Sequence, residues 1–70
     1  MSMSYDLALT RSFVDHITRI TPFTEEAYHW LTDEMNLQTV DGGCVPMYDD
    51  DVPSLQKHAE KAHLCVKDMR

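Results

Sequence analysis

The chain has 70 residues, 43% of them hydrophobic, and twelve acidic against six basic residues give it a formal charge of −6. This composition is too apolar for an intrinsically disordered acidic tail, so the chain is expected to fold. The negative charge opposes contact with phosphates and therefore argues against direct DNA or RNA binding. One small domain spanning residues 1–70 is predicted, with a thin core that a partner subunit or a metal would support.

Targeting and redox signals predict a cytoplasmic protein. The stretch from Met1 to Asp6 lacks the basic start and apolar run of a signal peptide, and no segment approaches the ~20 apolar residues of a membrane span. Two cysteines are present, Cys44 and Cys65, whereas small secreted domains usually carry about four to eight. We therefore expect no membrane contact and no disulfide.

The first element predicted in chain order is an amphipathic helix from residue 5 to residue 20. Its apolar face holds Tyr5, Leu9, Phe13, His16, Ile17 and Ile20. These side chains recur at helical spacing within an arc of roughly 120°. Leu7 and Val14 fall off that arc, which suggests a second contact surface. Val14 is therefore a candidate partner-binding residue.

A second helix is predicted from about Glu25 to about Asn36. Pro22 disfavours helix just before it, and Thr24 can accept a hydrogen bond from the first turn as its N-cap. Asn36 suits the left-handed residue that often follows a helix. Two aromatic residues of this helix, Tyr28 and Trp30, are candidate partner-binding residues, because aromatic side chains are enriched in interface hot spots. Core packing is the alternative for Trp30, the only tryptophan.

Residues 37–48 are predicted to form a short irregular segment or a β-hairpin. Leu37 to Val40 and Cys44 to Tyr48 read as short strands, and Asp41-Gly42 between them is a type I′ turn signal. Pro46 restricts the second run to an edge strand.

A third helix is predicted to begin near Pro53, with Asp50 or Asp51 as its cap. Its apolar stripe consists of Leu55, Ala59, Ala62, Val66 and Met69. Leu64 lies about 180° from that stripe and is therefore expected to be exposed, which makes it a further partner-binding candidate. The predicted fold is mainly α: a helical hairpin, the insert at 37–48 and a C-terminal helix.

Thiol and imidazole groups raise the possibility of a zinc site at Cys44, His58 and His63. With Tyr48 and Leu55, this segment resembles the second half of a zinc finger with two cysteine and two histidine ligands. The resemblance implies a zinc-stabilised module. It departs at Asp41, where the family has a cysteine, and the interval from Cys44 to His58 is one residue too long.

A second resemblance covers Phe13 to Gly43 and is carried by residues 20–26, Ile-Thr-Pro-Phe-Thr-Glu-Glu. This run is similar to the helical lead-in of cyclic-nucleotide-sensing transcription regulators. Their β-barrel would require alternating strands after Gly43, and the sequence shows none. Their function is therefore not assigned to this chain.

These patterns predict a non-enzymatic interaction protein. A cysteine nucleophile would need a histidine base and a third orienting group, and no set of residues marks such an arrangement. The leading hypothesis is a regulator or inhibitor of bacterial or phage type, which binds a protein target and forms a homodimer. The alternatives are the zinc-stabilised module, and an acidic mimic of nucleic acid that blocks a DNA- or RNA-binding protein.

Overall fold

A four-stranded sheet with helices packed on one face forms the fold. The computed structural model describes residues 5–40 and 43–70. In chain order the elements are β1 (Leu7–Arg11), β2 (Ile17–Pro22), α1 (Glu25–His29) with a π-helical continuation (Trp30–Glu34), β3 (Val45–Tyr48), a 3₁₀ turn (Asp49–Asp51), α2 (Val52–Lys61) and β4 (Val66–Asp68). The prediction of a mainly α, three-helix domain is therefore wrong, and the protein is a mixed α/β domain.

The strands lie in the order β3-β2-β1-β4. β1 and β3 both pair with β2 in antiparallel fashion, and β4 adds to the outer edge of β1 in parallel. β3 and β4 are therefore the two edge strands. α2 connects them and crosses the sheet between the two edges, as a parallel connection requires.

Residues 5–20, predicted as one helix, form the hairpin of β1 and β2. Leu7 and Leu9 alternate along β1 and are fully buried, although Leu7 lies off the predicted helical arc. Four residues of β2 are β-branched, a composition that favours strand: Ile17, Thr18, Ile20 and Thr21. His16, at a φ of 66°, takes the left-handed conformation that lets the chain reverse before β2.

The core lies between the sheet and the helices. Leu9, Ile20 and Val45 are neighbours in register across β1, β2 and β3, and all three are buried. Residues paired in register point to the same face of a sheet, so these three define the core face. The helical layer covers it with Ala27, Leu31, Val52, Leu55 and Ala59.

The predicted start of the second helix is confirmed. The Oγ1 atom of Thr24 accepts a hydrogen bond from the backbone N–H of Ala27 at 3.1 Å. Asn36, predicted as the left-handed residue at its end, has a φ of 54°. No helix within residues 5–40 and 43–70 is long and apolar enough to cross a membrane.

The third helix begins where it was predicted to begin, but it is shorter than predicted. Asp51 occupies the N-cap position, but its side chain accepts no hydrogen bond from the helix. α2 stops at Lys61, and residues 66–68, predicted as helix, form β4. Val66 and Met69 continue the helical spacing of apolar residues in the sequence, but the helix ends before it reaches them.

A Schellman motif ends α2. The N–H of His63 donates to the carbonyl of Glu60 at 3.0 Å, and the N–H of Leu64 donates to the carbonyl of Ala59 at 2.9 Å. His63 takes the left-handed conformation, with a φ of 62°. In this motif the residue after the left-handed one packs back on the last turn. Leu64, predicted to be exposed, is accordingly 6% exposed and belongs to the core.

Residues 37–48, predicted as an irregular segment or a hairpin, pair in only one position across the predicted turn among the residues described. Val40 and Cys44 form one isolated antiparallel bridge, while Val45–Tyr48 pairs with β2. The edge position predicted from Pro46 is confirmed, since β3 is an outer strand. Asp41 and Gly42, predicted as the turn, lie outside the described residues.

Candidate interaction surfaces

Among the described residues, no helix covers the sheet face opposite the core. Because Thr10, Arg19 and Pro46 alternate with the core residues of their strands, they point to this open face. By the same alternation the open face consists of Ala8, Thr10, Ile17, Arg19, Thr21, Pro46, Tyr48 and Lys67. Its charged residues are Arg19 and Lys67, so none of the described strand residues that point to the open face is a carboxylate.

A group of exposed apolar side chains borders the open face. Phe13 is 101% exposed and Val14 62% exposed, both in the loop between β1 and β2. Tyr48 is 67% and Val40 45% exposed. A groove between this loop and the start of β3 is lined by Ser12, Phe13, Val14, Arg19, Val40, Cys44 and Pro46. We call Phe13, Val14, Val40, Pro46 and Tyr48 the apolar sheet surface.

Arg19 is anchored at the floor of that groove. Its Nε and Nη2 atoms lie 3.4 and 3.1 Å from the Sγ atom of Cys44, which in turn lies 3.4 Å from the carbonyl of Val40. Cys44 is 4% exposed. These contacts engage two nitrogen atoms of the guanidinium, and most of the other residues that line the groove are apolar.

A different cleft lies on the helical side, between α1 with its π-helical continuation and the end of α2. It is lined by Glu26, His29, Trp30, Asp33, Glu34, Ala62 and Leu64. Its volume of about 400 Å³ falls in the range of ligand-binding clefts, roughly 300–1,000 Å³. We call it the acidic cleft, because three carboxylates surround an apolar floor.

The floor of the acidic cleft is rigid and its rim is polar. Trp30 packs against the core with part of its indole exposed, and Leu64 is buried at the end of α2. His29 lies on the rim, where its Nδ1 is 3.5 Å from Asp33. The described residues that line the cleft include no lysine or arginine.

A polar network ties the carboxyl-terminal residues to the sheet. The hydroxyl of Thr18 donates to Asp49 at 2.6 Å, and Arg70 donates to Thr18 at 3.3 Å. Arg70 also makes two-point contact with the Asp68 carboxylate, at 3.0 and 2.9 Å. These side-chain hydrogen bonds, with one from the Arg70 backbone, lower the pKa of Asp68 to about 2. Arg70 pairs with Asp68 and donates to Thr18, and Asp49 accepts from Thr18, so the network fastens the carboxyl-terminal residues to β2.

The residues predicted as zinc ligands do not form a cluster. Within residues 5–40 and 43–70, no group of three or more His, Cys, Asp or Glu side chains is placed to hold a metal ion. Cys44 is buried at the edge of β3, whereas His58 is exposed on α2 and His63 ends that helix. The zinc finger resemblance therefore has no counterpart in the fold.

The predicted partner-binding residues divide between the two surfaces. Trp30 and Leu64 line the acidic cleft together, whereas Tyr28, 41% exposed on α1, lines neither the cleft nor the groove. Val14 lies on the other side of the molecule, in the apolar sheet surface.

Sequence reasoning missed Phe13 and the cleft carboxylates. Phe13 was expected in a helical core, and instead it is the most exposed apolar side chain of the described residues. The spacing of Glu26, Trp30, Asp33 and Glu34 on one helix was the available signal for the cleft, since residues three and four apart share a face.

Comparison with known protein families, curated proteins and solved structures gave no match.

Proposed function

We propose that the protein is a non-enzymatic regulator or inhibitor, and that its acidic cleft binds a basic segment of a protein target. The observation that carries this proposal is the placement of Trp30 on an apolar floor with Glu26, Asp33 and Glu34 around it. A lysine or arginine side chain has the matching chemistry, an apolar stem and a cationic end.

Two physical effects support a cationic ligand in this cleft. The partly exposed indole of Trp30 can accept a cation over its ring face, an attraction of about 0.5–1 kcal/mol at exposed sites and more where water is excluded. The carboxylates and the net charge of −6 add long-range attraction, which raises the association rate with a basic partner. Binding of this kind weakens as salt screens the charges.

The proposal includes the cytoplasmic location expected from the sequence. A target whose basic surface normally binds DNA or RNA would satisfy the same chemistry, so the nucleic-acid mimic is a special case of this proposal. The aromatic floor favours peptide side chains as the ligand, since phosphate mimicry alone does not require it.

The test uses Trp30 itself as the reporter, because it is the only tryptophan in the chain. An amphipathic Lys/Leu peptide without aromatic residues is titrated into the protein while the tryptophan emission is recorded. We expect a saturable emission change whose midpoint moves to higher peptide concentration as salt is raised. A Glu/Leu peptide of the same length is the ligand control.

Charge-neutral variants locate the binding site. Asp33→Asn and Glu34→Gln together are expected to weaken binding about tenfold, the effect of losing roughly 0.5–1 kcal/mol for each rim contact. Asp15→Asn removes the same kind of charge in the loop between β1 and β2, and is expected to change binding less than twofold. Equal weakening by the loop variant would show non-specific attraction to an acidic protein and refute the site.

A further inference from the structure

We propose that two copies of the chain pair through the apolar sheet surface, with Phe13 of each copy seated in the groove of the other. This inference is independent of the acidic cleft, which lies on the helical side of the sheet. In this dimer, a second copy of the same chain covers the open face.

The distribution of exposed apolar residues points to the sheet side. Seven large apolar side chains among the described residues are notably exposed, and four of these, Phe13, Val14, Val40 and Tyr48, belong to the apolar sheet surface. Single exposed apolar residues scattered over a surface are ordinary, whereas an exposed aromatic residue beside an apolar groove is typical of an interaction site. The remaining three, Phe23, Tyr28 and Met69, do not line the groove.

The surface carries both halves of a self-complementary contact. Phe13 projects from the loop between β1 and β2, and the groove lies directly beside it, between Val14, Val40 and Pro46. In a two-fold symmetric dimer both copies contribute the same patch, so every contact between two different residues occurs twice. A patch that contains both a projecting side chain and a groove can therefore pair with a second copy of itself.

Charge also favours a second copy at this surface. Two chains of charge −6 repel each other, and the repulsion is smallest where carboxylates are absent. Among residues 5–40 and 43–70, the strand residues of the open face include none, and the charged residue that lines the groove, Arg19, contacts the Sγ atom of Cys44. Asp15, next to Val14 in the chain, does not line the groove; it lines an adjoining cleft together with Asp49 and Arg70.

The size of the surface predicts a transient dimer. A standard interface removes about 800 Å² and about 20–30 residues from each partner, and the chain exposes 5092 Å² in total. The open face with its bordering loop offers about half that number of residues. We therefore expect dissociation in the micromolar range, with Phe13 as the dominant contact.

Sedimentation velocity of the untagged chain across micromolar concentrations tests the proposal. The expected mass rises from 8.1 kDa towards twice that value. Phe13→Ser and, separately, Val40→Ser are expected to shift the monomer–dimer midpoint to higher concentration, the first by at least about 100-fold because the contact is made twice. Thermal melting of Phe13→Ser should remain unchanged at concentrations where both proteins are monomeric, since this side chain is fully exposed.

The matched control is Tyr28→Ser, which removes an exposed aromatic residue from the helical side. Its dimer midpoint is expected to stay within about twofold of the wild type. Salt provides a second readout: dimerisation should strengthen as salt screens the repulsion between acidic copies, the opposite of the response expected for the acidic cleft. A wild-type chain that stays monomeric throughout, or a dimer that Tyr28→Ser weakens as much as Phe13→Ser, would overturn the proposal.

Discussion

Replacing His63 with glycine is expected to stabilise the protein. At a φ of 62°, His63 holds the left-handed conformation that ends α2. For a residue with a Cβ atom this conformation costs roughly 1–2 kcal/mol, because Cβ approaches the following carbonyl oxygen. Glycine avoids that cost but loses about 0.5–1 kcal/mol more backbone entropy on folding. The free energy of unfolding should therefore rise by about 0.5–1 kcal/mol.

Little else opposes the gain. The side chain of His63 is exposed, and the two hydrogen bonds that close the helix, to Glu60 and Ala59, are made by backbone atoms. A glycine keeps both bonds and leaves Leu64 in the core. For a domain of this size, 1 kcal/mol corresponds to about 4–8 °C in melting temperature. The expected rise is therefore about 2–8 °C.

Circular dichroism melting of two further variants provides the comparison. His58→Gly makes the same substitution at an exposed position inside α2, where it should lower stability by a few tenths to about 1 kcal/mol. Asn36→Gly changes the other left-handed residue near a helix end, and should have a smaller effect than His63→Gly, because asparagine tolerates this conformation. If His63→Gly lowers the melting temperature as His58→Gly does, the helix does not end at residue 61 and the assignment of β4 is wrong.

Three further predictions concern local contacts. Leu64→Ala should destabilise the protein by about 2–4 kcal/mol in urea unfolding, because a core side chain is truncated; a change below about 0.5 kcal/mol would mean that the residue is exposed. Thr24→Ala should cost about 1 kcal/mol by removing the cap on Ala27, and Thr24→Ser should restore most of it. The depressed pKa of Asp68, about 2 in the folded chain, stabilises the protein above an unfolded pKa near 4, and this contribution is lost as pH falls from about 4 to about 2. Asp68→Asn should therefore match the wild type at pH 2 and be less stable at pH 6 by under about 1 kcal/mol, since the pair with Arg70 is partly exposed; an equal difference at both pH values would refute this account.

Local signals in the sequence were sufficient for helix starts. Thr24 caps α1 through a hydrogen bond that involves residues three apart, and Pro53 lies in the first turn of α2 as expected. Asn36 was likewise predicted from its own conformational preference. Each of these features depends on a few neighbouring residues, which is why a single sequence contains enough information to locate it.

The strands could not be separated from helix by periodicity alone. Leu9, Ile17 and Ile20 happen to share a helical arc, while the true pairing joins Leu9 to Ile20 across β1 and β2. The β-branched residues of β2 favoured a strand, but the helical periodicity was given more weight. β4 depends on β1, which lies about sixty residues earlier, and no local pattern encodes that pairing.

Only part of the candidate site could be predicted, because the residue types typical of interfaces indicate which side chains bind a partner but not where they lie in the fold. Trp30 was chosen for its residue type, and the fold places it beside Leu64, which was chosen on the mistaken ground of exposure. Phe13 was missed because an apolar residue on a predicted amphipathic helix is assigned to the core. Only the β-hairpin, which places residue 13 in a connecting loop, explains its full exposure.

The two-layer architecture explains why so short a chain can hold two chemically different surfaces. The helices cover one face of the sheet, and α1 with its π-helical continuation carries Glu26, Asp33 and Glu34, the carboxylates of the acidic cleft. No further element is present among the described residues to cover the other face, which keeps its apolar side chains and two cations. Because the surfaces lie on opposite layers, a dimer formed through Phe13 would leave both acidic clefts accessible. Opposite responses to salt, with dimerisation strengthened and peptide binding weakened, would then be measurable on the same protein.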